Sequence, residues 1–277
     1  MILPTMTLTE LSAELLIDYK EVAARWKAFE PKFERIRKRV PTFPWLWETK
    51  VVTKRRNEWY IGCYAYSKKD ATVVYPKISI FFRRENATWA AFPIRGKDST
   101  LLLIFPAHFF DRYIERFLNV DKKDLEYPVK DIVRVFFLRN YHIFPYKSEM
   151  EDRVRGFCED GMFWGDWLGD GVGLVKTYLS RDEMKPNQFT EFIQAVQSWI
   201  LGDIFMSHKG RSLLDEDFDG LPDTYFSTDV QIDFVNSRNN AIWRDIFIDL
   251  LKFKQEHEEE YLQCSRMLDS IIENRRK

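Results

Sequence analysis

Apolar residues first recur at helical spacing along this chain, and then the period changes. Beyond Thr7-x-x-Glu10, a capping-box pattern, the positions Leu11, Leu15, Val22, Trp26, Phe29, Phe33, Ile36 and Val40 follow steps of three, four or seven. That spacing predicts one long helix with a narrow stripe. Pro31 lacks an amide donor and crowds the preceding turn, so a kink or restart is expected there, and Pro41 and Pro44 close the helix. From Trp45 the period falls to two. The segments WLWETKVV, EWYIGCYAYS, TVVYPKISIFFRR, ATWAAFPIR and TLLLIF are rich in β-branched and aromatic residues and are separated by the turns KRRN, KKDA, RENA and RGKDS. Consecutive strands with short polar turns predict an antiparallel meander.

The last strand runs through Pro106 into an amphipathic segment, LLLIFPAHFFDRYIERFLNV over residues 101–120. Ile132, Val133, Phe136 and Phe137 suggest a second short helix, and residues 147–157 read as another helical piece. Met162 to Leu168, the turn Gly169-Asp170-Gly171 and Val172 to Ser180 form a predicted hairpin. Residues 187–207 predict a helix stopped at Gly210. A final proline-free segment carries Trp243, Ile246, Leu250, Phe253, His257, Tyr261, Cys264, Leu268 and Ile271 at close to heptad spacing. The expected fold class is α+β: an antiparallel meander sheet of about five to seven strands with a long N-terminal helix and a long C-terminal helical pair. Residues 1–180 would form the sheet domain, and 181–277 a helical extension packing on the N-terminal helix.

Composition supports a globular chain: 277 residues, 45% hydrophobic and 31% charged, with 23 Phe and 9 Trp to build a core from rings. A net charge of −1 gives no overall attraction to nucleic acid or an anionic membrane, while leaving a local basic patch open. Cys63, Cys158 and Cys264 are far apart, without a C-x-x-C pair, and read as reduced core thiols. No segment approaches 18 apolar residues and no basic n-region opens the chain, so a cytoplasmic, membrane-free protein is expected.

Candidate chemistry is concentrated in residues 101–120. At 100° per residue, His108, Asp111, Arg112, Glu115, Arg116 and Asn119 fall within an arc of about 140°, and the aromatic residues take the other side. His108 in the first turn would be held neutral by the positive end of the helix dipole, ready to act as a base. Arg112 and Arg116, on successive turns, would grip a phosphate. A base with a phosphate clamp and no metal ligands suits RNA transesterification through the 2′-hydroxyl.

This H-x3-R-x2-E-R pattern entering a helix, followed by a strand ending Lys176-Thr177-Tyr178, resembles the metal-independent ribonuclease superfamily of barnase, the colicin tRNases and the RelE-type toxins. The resemblance covers about residues 100 to 180 and implies His108, Arg112, Arg116, Lys176 and Thr177 around a scissile phosphate, with RNA as the partner and no cofactor. The plain alternative is a solvated polar face on which Arg112 and Glu115 form a surface ion pair.

Asp215, Asp217, Asp219 and Asp223 have the oxygen spacing of a calcium loop, with Gly220 at the sharp turn. Phe226 replaces the carboxylate an EF-hand needs and Pro222 breaks the loop, which favours an ordinary acidic loop over a calcium site. Glycines 161, 165, 169, 171 and 173 match no phosphate-loop motif. A second function class therefore stands beside the nuclease: a non-enzymatic protein that uses its aromatic sheet and terminal helix to bind a protein partner or a second copy of itself.

Overall fold

The computed structural model describes residues 1–65, 67–68, 71, 75–95, 99–140, 143–147, 153–158, 160–169, 171–195, 233 and 259. The chain divides into two compact units, Met1–Ser180 and Arg181–Lys277. In the first, helix α1 spans Leu8–Arg37 and opens with the expected capping box, Thr7 accepting from the Glu10 amide and Glu10 from the Thr7 amide. It runs unbroken past Pro31. Pro31 and Lys27 are both exposed, so the Lys27 carbonyl, which lacks its helical donor there, is not left in the core.

Five strands follow, β1 (Trp45–Val52), β2 (Glu58–Ala65), β3 (Lys77–Arg84), β4 (Ala87–Arg95) and β5 (Thr100–Phe105), each antiparallel to its predecessor. The β3–β4 turn places Glu85 and Asn86 at φ 53 and 58°, the geometry that matches strand twist. β5 leads into α2 (Ala107–Tyr113), a π-helical turn (Ile114–Leu118) that ends at left-handed Asn119, and then α3 (Val129–Arg139). The remaining strands are β6 (Phe144–Lys147), β7 (Arg153–Cys158), β8 (Gly161–Gly169) and β9 (Val172–Ser180).

All nine described strands join one sheet in the order β1-β2-β3-β4-β5-β9-β8-β7-β6. Three expectations are corrected here, the first being the count of about five to seven strands, since β6 and β7 extend the sheet beyond the predicted hairpin. The segment read as helical over 147–157 contributes strands, because Arg153-Val154-Arg155-Gly156-Phe157 alternates with period two and Val154 and Cys158 are core residues on one face. The sheet is also not purely antiparallel: the chain leaves β5 through two helices, and β9 returns beside β5 in the same direction.

The sheet is buried from both sides. Leu102 and Ile104 face α1 with Leu11, Leu15, Val22, Trp59 and Trp89, whereas Leu103 and Phe105 face α2 and α3 with Phe109, Phe110, Phe136 and Phe163. Alternation along one strand thus serves two cores. Among the described residues no helix is long and apolar enough to cross a membrane.

In the second unit residues 186–195 are helical. The rest of the 187–207 helix, the long terminal helix and its packing on α1 lie outside the described residues. So do His142, His208, His257 and the acidic loop with Asp215, Asp217, Asp219 and Asp223.

Candidate functional site

The apolar half of α2 is fully used in packing. Phe109, Phe110, Tyr113 and Ile114 are buried, at about 1.5–3 kcal/mol for each large side chain taken from water. On the polar half His108 is exposed and has no hydrogen-bond partner among the described residues. Arg112 donates to Glu115 at 2.7 Å, an exposed pair one turn apart. Arg116 turns inward and donates from Nη1 to the Tyr178 carbonyl at 2.8 Å, tying the helical segment to β9.

Lys176 and Thr177 do not join them. Tyr178 and Val175 pack on the α2–α3 side, so alternation puts Thr177, which pairs in register with Trp164, on the opposite face. A register shift at Trp164/Gly165 makes Lys176 the extra residue of a bulge, and its ammonium pairs with Asp166 of β8. Asp166 alternates with Trp167, which packs on the α2–α3 core, and lies opposite Leu174 of the α1 core, so this pair also belongs to the far face. The structure therefore brings His108, Arg112 and Arg116 onto one helical segment, and leaves the sheet between them and the other two residues.

Three buried carboxylates, Glu14, Asp18 and Asp160, escaped the sequence reading. Asp18 of α1 accepts at Oδ2 from Thr53 Oγ1 (3.1 Å), Asn57 Nδ2 (2.5 Å) and Trp59 Nε1 (3.3 Å), anchoring the β1–β2 turn. Beside it Glu14 accepts from Arg55 at 2.7 Å. Burial raises the Glu14 pKa, but its ion pairs and hydrogen bonds outweigh that and hold it below the usual carboxylate value. Asp18 is detectable in retrospect, because it stands in the register of the Leu11, Leu15, Val22 stripe as a polar residue at a core position. Asp160 has no such signal. It gathers Tyr113 Oη (2.9 Å), Arg139 Nε (2.7 Å) and Asn140 Nδ2 (2.9 Å), while its own carbonyl accepts from Tyr178 Oη (2.5 Å). Burial, then the charge of Asp160, pushes the Tyr113 phenol well above its ordinary pKa. Tyr113 and Asn140 are buried and Arg139 reaches in from an exposed position, so the cluster joins α2, α3 and the β7–β8 turn.

The remaining feature is the outer edge of β1, which ends the sheet among the described residues. Thr53 donates its amide to the Asn57 carbonyl at 3.0 Å, which fixes the hydrogen-bond phase of the β1–β2 ladder. Trp45, Trp47, Thr49 and Val51 consequently bond toward β2. The amides and carbonyls of Leu46, Glu48, Lys50 and Val52 point away from the sheet, with Arg25 Nη1 donating to the Val52 carbonyl at 2.9 Å. Leu46 and Val52 are 49% and 50% exposed, while Trp45 and Trp47 pack beneath α1 with Phe29 and Phe33. Glu48 is held by Arg134 of α3 (2.8 Å), and Lys50 by Glu58 (3.2 Å). Among the described residues no cluster of three or more His, Cys, Asp or Glu is arranged to hold a metal.

No protein-family model, curated protein or solved structure matches this chain.

Proposed function

We propose that this is a non-enzymatic interaction protein that takes up its partner by strand addition along the outer edge of β1. The observation that supports the reading is the run of outward-directed backbone groups at Leu46, Glu48 and Lys50, flanked by the exposed aliphatic side chains of Leu46 and Val52. A strand edge of this kind supplies main-chain hydrogen bonds for affinity and alternate side chains for specificity. The rigid aromatic packing of Trp45 and Trp47 beneath α1 holds the edge straight and ready, which lowers the ordering cost of binding.

The ribonuclease reading has less support. It needs His108, Arg112, Arg116, Lys176 and Thr177 around one phosphate, yet Arg112 and Lys176 are each paired with a carboxylate and Arg116 is committed to a β9 carbonyl. The deciding experiment is an RNA-cleavage assay in EDTA with the wild-type chain, H108A and R112A. No cleavage is expected from any of the three. Cleavage by the wild type that disappears in H108A would overturn the interaction reading and restore His108 as a base.

A further inference from the structure

The residues along β1 are ordered almost symmetrically about Thr49. Reading outward in both directions, Glu48 mirrors Lys50, Trp47 mirrors Val51, and Leu46 mirrors Val52. If a second copy of this strand lies antiparallel with its dyad at Thr49, each residue meets its mirror: carboxylate faces ammonium twice, aromatic faces aliphatic, and aliphatic faces aliphatic. An offset by one residue destroys this. With the dyad moved to Glu48, Glu48 meets Glu48 and Lys50 meets Leu46, so neither charge meets its opposite.

The backbone phase fits the same dyad. Leu46, Glu48, Lys50 and Val52 direct their amides and carbonyls outward, so Glu48 and Lys50 of opposing copies exchange two N–H···O bonds. Thr49 meets Thr49 as the closely spaced pair without hydrogen bonds, where threonines pack well. A strand offered to a general partner has no reason to be complementary to itself. Resting on the edge-strand reading above, we infer that the partner added at β1 is a second copy of this chain, joining two nine-stranded sheets edge to edge about Thr49.

Existing ion pairs do not block this arrangement. Arg134 engages both Glu48 oxygens from α3 and Glu58 approaches Lys50 from β2, both within the chain; each carboxylate oxygen keeps a second lone pair and Lys50 is 56% exposed, so the cross-copy pairs would add to these bonds. Because one strand edge buries less than a standard interface, the dimer should be concentration-dependent rather than obligate.

The test is sedimentation equilibrium on the full chain, K50E, E48K and an equimolar mixture of the two variants. The wild type should self-associate. K50E leaves two acidic residues on the edge and E48K two basic ones, so each alone should raise the dimer dissociation constant about tenfold or more. Mixed, their edges are complementary again and heterodimers should return, a result that misfolding of either variant cannot imitate. Because E48K also loses Arg134, T49C provides a second measurement. Cysteines at the dyad would have Cα atoms about 4.5 Å apart, within disulfide range. In a C264S background, oxidised glutathione should then give a crosslinked dimer that thiol reverses, whereas L168C on the β8–β9 hairpin should not crosslink; the native Cys63 and Cys158 thiols are buried. A wild type that stays monomeric at every concentration overturns the inference. So does a dimer that K50E and E48K leave unchanged and T49C fails to crosslink. A monomer without RNA cleavage removes the second copy as partner while sparing the edge-strand reading, and cleavage dependent on His108 removes that reading whatever the mass.

Discussion

The polar face of α2 carries the most reactive-looking side chains of the first unit and satisfies most of them locally, whereas the outer edge of β1 carries ordinary strand residues and, among the described residues, leaves the backbone groups of Leu46, Glu48 and Lys50 without a strand partner. On α2 and the π-helical turn that follows it, Arg112 is neutralised by its neighbour Glu115 and Arg116 is spent on a structural hydrogen bond. On β1, side-chain identity is unremarkable, but ladder phase and sheet position direct a row of donors and acceptors outward. Residue type proposes chemistry; convergence or its lack decides what that chemistry can do. A strand edge that no described strand pairs needs no convergence, because one strand already holds its groups at the right spacing.

The contrast is sharpest if the inward and outward sides of α2 are altered separately. Asp160→Ala should cost about 2–4 kcal/mol, because it leaves the buried Tyr113 hydroxyl and Asn140 amide without their acceptor while Arg139 can turn to water. Urea denaturation measures this, and a loss below about 1 kcal/mol would mean the inner cluster is not what holds α2 to the sheet. Arg116→Ala should cost about 1–2 kcal/mol through the Tyr178 carbonyl. Arg112→Ala should stay within about 0.5 kcal/mol, as befits an exposed pair. A larger loss at Arg112 than at Arg116 would reverse the assignment of the two arginines.

The division between what the sequence made legible and what it did not follows the same line. The capping box at Thr7, the β1–β5 meander and the Gly169–Gly171 hairpin were all readable, since each rests on contacts between residues close in the chain. The parallel β5–β9 pair was not, because it joins strands some seventy residues apart and no local pattern encodes it. Lys176 and Thr177 fit a motif on spacing alone. One bulge and the side-chain alternation on β9 decided their face, and neither has a signature in the letters. Asp160 was invisible for a similar reason: Tyr113 and Arg139 reach it from 47 and 21 residues away.

A smaller effect is expected in alkali. Burial pushes the Cys63 thiol up to about 12 from 9.0, and Tyr113 well above 10.0. The folded state therefore keeps protons that the unfolded chain releases, so these groups favour the fold fully below about pH 9 and progressively less as pH rises toward 12. A urea midpoint that falls over this range, less steeply in Cys63→Ala, is the expected result. Cys63 should also resist thiol reagents at pH 8 until the protein unfolds. The smallest effect should come from His108→Ala, within about 0.5 kcal/mol of wild type by the same denaturation assay.

Amide hydrogen exchange resolved along β1 tests the account most directly, because it reads the edge itself. At low protein concentration Trp47, Thr49 and Val51 should be protected by β2, while Leu46, Glu48 and Lys50 exchange quickly. At high concentration the second set should slow and the first remain unchanged. Protection of Leu46, Glu48 and Lys50 already in the dilute protein would mean that the edge is covered within the chain, and fast exchange there at every concentration would mean that no second strand is ever added.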